Sequence, residues 1–335
     1  MSALPEDLPG YRWRAATPAD AAAIRDLYLA CAGDAGEPAA SGIADFAGAR
    51  AALAGADALG AACAMDEAGR LAAFGGVSCP SGIRHEYRLL LHGAVLPADR
   101  RRGLGGAILA WAEARARAAL AALPRDRPAV LRVDTSVVGQ DATALLARHG
   151  FRLHHVEEDM TRDLRGPLPD QPPPPGVTLV HWEQGLAARF YAVYRDAFST
   201  RPGAPGWTEE GWVVALTGSP AFRPARSYLL REGDEDVGFL IAHVDPEENA
   251  RLGENAGWLA QLGVRPGWRG RGLAAVMIAV ALCGLRDDGL DTAMLDVNVD
   301  NPGARRVYER LGFAVVARRA SYTKTADGRR QAAVS

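Results

Sequence analysis

Two similar halves flank a proline-rich segment, and this duplication most strongly limits the folds open to the chain. The segment reads GPLPDQPPPPG from Gly166 to Gly176. Prolines lack an amide donor and favour extended geometry, so we interpret the segment as a linker. A length of 335 residues suits two domains. The predicted organisation is an N-terminal domain at 1–165, a linker at 166–176 and a C-terminal domain at 177–335.

Each half shows the same coarse order of predicted elements. An opening strand leads into a helix, β-rich stretches follow, and a further strand (89–95 or 258–264) runs into a glycine loop. A long apolar helix (104–123 or 273–285) comes next, then a strand and a short helix that ends at Gly-Phe. Two copies of one α/β domain are the simplest interpretation.

Composition excludes several classes of protein. Lys and Arg number 38 against 40 Asp and Glu, so net charge offers no general attraction for nucleic acid or an anionic membrane. The four cysteines and seven histidines show no metal-ligand spacing, and we expect no metal and no disulfide framework. The start of the chain lacks a signal-peptide pattern, and the longest apolar run is too short to span a bilayer. We therefore expect a soluble, cytoplasmic protein.

The loop of the second half, 262–274, reads LGVRPGWRGRGLA and precedes a predicted helix. Glycines let backbone amides approach a ligand, helix N-terminal amides carry partial positive charge, and arginines add donors, so the loop suits a pyrophosphate. The first half repeats it at 96–106. Neither copy has the Gly-Lys-Ser/Thr of a P-loop. A dinucleotide fingerprint matches formally from Gly270 to Ala275, but five residues separate its first glycine from the strand, which opposes that interpretation.

Downstream, residues 296–313 read DVNVDNPGARRVYERLGF. Asn301 is a good N-cap and proline follows it, so a helix is predicted to begin there. Asn301, Ala304 and Tyr308 share one face of that helix, and Gly312 suits the position after its end. Tyr308 is thus either a proton donor to a ligand or a packed core residue.

These residues resemble those of the GNAT N-acetyltransferases. The Arg-x-x-Gly-x-Gly/Ala loop resembles their acetyl-CoA site, and 298–313 fits their Asn-x-x-Asn-x-x-Ala-x-x-x-Tyr-x-x-x-Gly-Phe pattern. The tandem layout most resembles the mycothiol synthase group within that superfamily. The resemblance implies an α/β (α+β) fold of two GNAT-like domains, each a mixed, mostly antiparallel sheet flanked by helices.

The resemblance also assigns roles to residues. It implies that Tyr308 protonates the departing thiolate and that Gly263 lies in a bulge of the strand before the loop. Asp296 and Glu254 are tentative bases, since Trp258 stands where many members carry a glutamate. The implied acetyl-CoA contacts of the second half are Leu262, Val264, Arg269, Gly270, Arg271, Gly272, Leu273, Ala274, Asn298, Asn301, Ala304 and Tyr308. Those of the first half are Val95, Arg100, Arg101, Arg102, Gly103, Leu104, Gly105 and Gly106.

The first half departs from the pattern at one decisive position. Aligning Gly150 with Gly312 places Leu146 where the second half has Tyr308, and leucine cannot donate a proton. We therefore expect the second half to be catalytic and the first half to be a degenerate copy that holds acetyl-CoA or supports the structure.

The predicted function is transfer of acetyl from acetyl-CoA, a co-substrate, to a primary amine of a small molecule within a ternary complex. A narrower alternative is mycothiol synthase, which acetylates a cysteinyl-glucosaminyl-inositol amine. An alternative of another class is a non-catalytic acyl-CoA-binding sensor. The expected partner is the small-molecule amine, with neither nucleic acid nor membrane involved.

Overall fold

The computed structural model describes residues 4–37, 39–135, 140–199 and 206–326. In the first repeat, strands precede and follow a long helix that comes after the glycine loop. Its elements are β1 (Tyr11–Ala15), α1 (Ala21–Asp34), α2 (Ala39–Arg50), β2 (Ala58–Asp66), β3 (Leu71–Ser78), β4 (Tyr87–Val95), α3 (Leu104–Leu120), β5 (Ala129–Thr135), α4 (Gln140–Arg148) and β6 (Arg152–Asp163).

The second repeat has the same order of elements with one additional short helix, α7. Its elements are β7 (Val177–His181), α5 (Ala187–Phe198), α6 (Glu209–Thr217), β8 (Tyr228–Glu232), β9 (Glu235–His243), α7 (Pro246–Leu252), β10 (Ala256–Val264), α8 (Leu273–Asp287), β11 (Thr292–Asn298), α9 (Pro302–Arg310) and β12 (Ala314–Thr325).

Internal contacts divide the chain into two compact units. The first contains the residues up to Glu157 and those from Ala317 onward, and the second contains Glu158 to Val316. The last strand of each repeat, β6 or β12, therefore changes unit partway along its length. The boundaries at 165 and 177 describe the sequence repeat, and as domain boundaries they stay a prediction.

Each unit contains one mixed sheet. In the first unit the order is β1-β2-β3-β4-β5-β12, with β4 and β5 parallel and the other pairs antiparallel. In the second unit the order is β7-β8-β9-β10-β11-β6, where β7 to β10 are antiparallel neighbours and β10 and β11 are parallel. The predicted fold class, a mostly antiparallel sheet flanked by helices, is confirmed.

Hydrophobic clusters cover both faces of each sheet. In the second unit, Leu282 of α8 and Tyr308 of α9 belong to one cluster with Leu295 of β11. On the opposite face, Trp212 of α6 is fully buried in a cluster with Phe239 of β9. Burying a large apolar side chain contributes roughly 1.5–3 kcal/mol, so these clusters hold the helices against the sheet.

The regular elements that carry the loops were predicted well, whereas α2, α6 and α7 were not predicted. The helix α2 shows the reason most clearly. Its sequence, AASGIADFAGAR, contains two glycines and a serine, which are poor helix formers in isolation. Packing explains the helix, because a Cβ on Gly42 would lie 3.0 Å from the backbone oxygen of Tyr28 in α1. The glycine thus lets the two helices approach closely, a tertiary effect that periodicity does not report.

A buried ionic network joins β12 to the first unit. Glu113 of α3 is 4% exposed and accepts hydrogen bonds from Lys324 Nζ at 2.7 Å and Arg117 Nη2 at 2.6 Å. Lys324 Nζ also donates to the carbonyl of His149 at 2.6 Å. One end of β12 is therefore fixed by charge as well as by strand pairing.

We predict that Lys324→Met lowers the free energy of unfolding by about 2 kcal/mol at pH 7, because a buried carboxylate loses a charge-assisted hydrogen bond. Urea titration measures the change. Arg117→Met is the matched control: its side chain is 45% exposed, so we expect a loss below about 1 kcal/mol. Equal losses in the two variants would contradict this account of the network.

The same network predicts a pH dependence. Burial raises the pKa of Glu113, but the hydrogen bonds from Lys324 and Arg117 outweigh it and hold that pKa below its usual range. A carboxylate of this kind stabilises the fold above its unfolded pKa, about 4.3, and the effect disappears as pH falls through the folded pKa. The stability difference between wild type and Lys324→Met should shrink below about pH 4.

Candidate active site

The glycine loop of the second repeat joins β10 to α8. A single 3-10 turn, Pro266–Trp268, follows the strand, and α8 begins at Leu273 with Gly272 as its N-cap. Gly270 and Gly272 have φ values of +78° and +77°, and a Cβ at either position would meet no atom within 4 Å. Glycine is thus favoured here by backbone conformation, and the space beside the loop is open.

The backbone amides of this loop point away from internal acceptors. Arg269 N donates to Pro266 O at 3.3 Å, and the next amide that donates is Val276, to Gly272 O at 3.2 Å. Across the described part of the chain, no hydrogen bond is recorded for the amides of 270–275. Six consecutive donors at a helix N-terminus form a site for an anion such as a pyrophosphate.

The loop arginines already have protein partners. Arg269 donates to Val264 O at 3.2 Å and to Ala197 O of α5 at 2.6 Å. Arg271 donates to Glu232 Oε1 at 2.9 Å and lies 4.6 Å above the ring of Trp268. Arg269 therefore ties the loop to the end of α5, and the donors that the loop leaves open to an anion are mainly backbone amides.

The neighbouring strands β10 and β11 separate before β10 reaches the loop. Parallel pairing of β10 with β11 covers three positions and ends at Trp258 and Met294. β10 continues beside β9 as far as Val264, and β11 continues to Asn298. A wedge-shaped gap therefore opens between two strands that are paired at their beginnings.

Backbone amides of β10 line this gap. Arg265 N donates to Val237 O of β9 at 2.9 Å. Because backbone groups alternate in direction along a strand, the amides of Leu262 and Val264 face away from β9 and into the gap. Both residues are among the acetyl-CoA contacts that the resemblance implied.

The bulge of β10 lies elsewhere than predicted. Gly263 pairs regularly with Phe239, and the register shifts between Leu259 and Gln261, so the prediction of a bulge at Gly263 was wrong. Glycine is needed at 263 for packing, because a Cβ there would lie 2.9 Å from the Cβ of Ala197. The bulge itself turns Gln261 towards α6.

A contact that sequence reasoning missed fixes Gln261. Its Oε1 accepts a hydrogen bond of 2.7 Å from the indole nitrogen of Trp212, which is fully buried on α6. The two residues are 49 positions apart, so no local spacing signals the contact. The Gln261 side chain therefore lies on the face of β10 that α6 covers.

Helix α9 begins and ends as predicted. Asn301 is its N-cap, with Oδ1 accepting from Ala304 N at 3.2 Å, and Gly312 after its end has a φ of +85°. Asn298 Oδ1 accepts from Asp300 N at 2.8 Å, which shapes the turn into the helix. Tyr308 is 8% exposed, and its ring centroid lies 6.2 Å from that of Phe313.

The two tentative bases lie at different ends of the paired segment. Asp296 is half-buried on β11, two residues beyond the last pair with β10, and so borders the gap. Glu254 lies two residues before β10, on the far side of the paired positions, and burial raises its pKa. The geometry brings Asp296 to the gap and leaves Glu254 before the start of β10, at the opposite end of the paired positions.

The first repeat reproduces the backbone conformation of the loop, with Arg101 at the position of Gly270. Arg101 and Gly103 have φ values of +64° and +88°, matching Gly270 and Gly272, and Gly103 is the N-cap of α3. Parallel pairing of β4 with β5 ends at Leu90, before β4 itself ends.

The arginines of the first loop contact the protein, and a leucine stands at the position equivalent to Tyr308. Arg100 pairs with Asp34 at 2.6 Å, and Arg102 donates to the hydroxyl of Tyr11 at 3.1 Å. Leu146, at the position of Tyr308, is buried in the core of the first unit. The first unit thus has the loop geometry without a tyrosine at the position equivalent to Tyr308.

Comparison with known proteins places these features in a family. The model of the acetyltransferase (GNAT) family matches residues 187–313, which include the loop and α9. A mycothiol acetyltransferase of Thermomonospora curvata is 33% identical over 236 residues, 70% of this chain and 72% of that protein.

No helix in the described residues has the length and apolar character needed to cross a membrane.

Solved structures agree. A GCN5-related N-acetyltransferase from Sphaerobacter thermophilus is 26% identical and has a TM-score of 0.78 over 97% of both chains. A tandem GNAT protein from the clavulanic acid biosynthesis pathway shares the fold at 18% identity, with a TM-score of 0.66 over 96% of this chain and all of that one. The loop, the separated strands and the matched relatives agree: the chain belongs to the GNAT family and is an acetyltransferase.

Proposed function

We propose that the second unit transfers an acetyl group from acetyl-CoA directly to a primary amine of a small molecule. Acetyl-CoA supplies the activated acetyl group. The amine nitrogen bonds to the acetyl carbon as the carbon–sulfur bond breaks, the amine gives up a proton, and the sulfur receives one. The observation that carries the proposal is the gap between β10 and β11, which opens beside the unpaired amides of the loop.

The residues present fit acetyl-CoA. The amides of 270–275 provide donors for its pyrophosphate, and Gly270 and Gly272 leave room for close approach. In the gap, the amides of Leu262 and Val264 would hold the pantetheine arm, and one of them would polarise the thioester carbonyl. Arg269 would act indirectly, by holding the loop against α5.

Tyr308 and Asp296 are the residues we propose for the proton transfers. Tyr308 would donate its phenolic proton to the sulfur as the thiolate leaves. Asp296, which borders the gap, would accept the amine proton through water, and we rank it ahead of Glu254 for its position. The cysteines favour direct transfer over an acyl-cysteine intermediate. Burial raises the pKa of Cys31 and Cys79, and that of Cys63 to about 12, so these thiols are poor nucleophiles.

For the acceptor, one specific alternative has support. The matched relatives are named mycothiol acetyltransferases, which favours a cysteinyl-glucosaminyl-inositol amine. Trp258 opposes it, because this residue stands on β10 where the resemblance leads us to expect a glutamate base. We keep the broader class, a primary amine of a small molecule, as the proposal.

An acetylation assay over a panel of amines tests the proposal. The panel includes the cysteinyl-glucosaminyl-inositol amine, and mass spectrometry identifies the product. We expect one small amine to gain an acetyl group at nitrogen, with initial-velocity lines that intersect, as a ternary complex requires. Saturable binding of acetyl-CoA without transfer to any amine would contradict the proposal and favour a sensor.

We predict that Gly272→Val raises the KM for acetyl-CoA at least tenfold. A β-branched residue at a φ of +77° strains the loop by about 1–3 kcal/mol and displaces its amides. Gly289→Val is the matched control, since Gly289 has a φ of +84°, also faces open space, and follows the other end of α8. Steady-state kinetics should show an ordinary KM for that control, and an equal rise in both variants would count against the loop.

We predict that Tyr308→Phe lowers kcat by about 10², with little change in the KM for acetyl-CoA, because only proton donation is lost. Leu146→Met, a volume-conserving change at the equivalent buried position of the first unit, should leave kcat within twofold of the wild type. Full activity of Tyr308→Phe would remove the tyrosine from the mechanism.

For the first unit we propose acetyl-CoA binding without catalysis, since it has the loop geometry but Leu146 in place of the acid. Calorimetric titration with acetyl-CoA should then give two equivalents per chain, and Gly103→Val should reduce this to one. A stoichiometry of one in the wild type would restrict binding to the second unit.

A further inference from the structure

We propose that Glu158 is a positioning residue for Tyr308 and acts through an ion pair with Arg305. The inference rests on the proposed function, in which Tyr308 donates the proton to the thiolate. Glu158 lies on β6, the last strand of the first repeat, whereas Arg305 and Tyr308 lie on α9 of the second. The first repeat would thus contribute a residue that sets the geometry of the acid.

Only the carboxylate partner of this ion pair is fully buried. Glu158 Oε2 lies 3.0 Å from Arg305 Nη1, and the carboxylate side chain is 0% exposed while that of Arg305 is 37% exposed. Removing a carboxylate from water costs several kcal/mol, which a single ion pair seldom returns in full. Buried ion pairs are best attested as devices that fix the register of neighbouring elements. Here the elements are a strand and the helix that carries Tyr308.

Arg305 is close to Tyr308 along the helix. Residues three positions apart on a helix are surface neighbours, and long side chains lean towards the helix N-terminus. The Tyr308 side chain therefore leans over the turn that contains Arg305. Rotating or shifting this turn moves the phenol with it.

Alternate residues of β6 follow α9 along its length. Glu158 meets Arg305 in the first half of the helix, and Met160 belongs to the same core cluster as Tyr308. Beyond the helix end, a Cβ on Gly312 would lie 2.8 Å from Arg162 Nε, so Arg162 packs against that backbone. The strand thus fixes the depth and rotation of α9 at both ends, and Glu158 is its charged contact.

The helix provides a matched control. Arg305 Nε also contacts Glu309 Oε1 at 3.0 Å, within the same helix, and the Glu309 side chain is 47% exposed. A pair confined to one helix cannot set the position of that helix on the sheet. Glu158→Gln and Glu309→Gln each remove one carboxylate from the same arginine, and only the first should affect the acid.

The test is a double-mutant cycle between Glu158→Gln and Tyr308→Phe, measured as kcat and KM on the full chain. We expect Glu158→Gln to lower kcat about tenfold, as small misplacements of a catalytic group do, with the KM for acetyl-CoA within twofold. In the Tyr308→Phe background it should cost less than twofold, because no acid is left to position. Glu309→Gln should stay within twofold of the wild type.

Two results overturn the inference. One is an equal factor for Glu158→Gln with and without Tyr308, which would indicate a structural role only. The other is an equal effect of Glu158→Gln and Glu309→Gln. If Glu158→Gln does not fold, Arg305→Lys replaces it in the double-mutant cycle. This variant keeps the positive charge but changes the geometry of the ion pair with Glu158. Reduced kcat in Tyr308→Phe without coupling refutes this inference alone, whereas full activity of Tyr308→Phe refutes the proposed acid as well.

Discussion

The candidate site depends on one constraint: a backbone amide needs an acceptor, and two segments of the second unit have amides that face no internal one. β10 and β11 stop pairing after three positions, although both continue. The loop then presents the amides of 270–275 without internal acceptors in the described structure. Arg269 holds the loop against α5, and Gly270 and Gly272 leave the space beside the loop open.

The first repeat is more than a degenerate copy. Its last strand, β6, enters the second unit, where Glu158 contacts Arg305 of α9, Arg162 packs at Gly312 after that helix, and Met160 shares a core cluster with Tyr308. Conversely, β12 of the second repeat pairs with β5 in the first unit and is fixed there by Lys324. The last strand of each repeat therefore continues into the other unit, which gives a physical reason for keeping both repeats in one chain although Leu146 stands where the second repeat has Tyr308.

Much of this fold is local in origin and could be predicted. The starts of α3 and α8 were predicted to the residue, because periodicity and glycine conformation act over a few positions. The cap at Asn301 and the turn at Gly312 followed from the same local rules. The prediction of a bulge at Gly263 was wrong because a glycine is needed there to make room for Ala197, 66 positions away. The pairing of Gly263 within the sheet is regular.

The sequence by itself determined that there are two copies of one mixed α/β fold, each with a glycine loop between a strand and a long helix, and that Tyr308 of the second copy is replaced by Leu146 in the first. These features depend on residue types and short spacings. Only the tertiary structure decided that Arg269 binds the protein, that Gln261 meets Trp212, and that Glu158 reaches Arg305. Each of these contacts joins residues at least 49 positions apart, and such pairs are chosen by the packing of whole elements, which no local pattern in the sequence records.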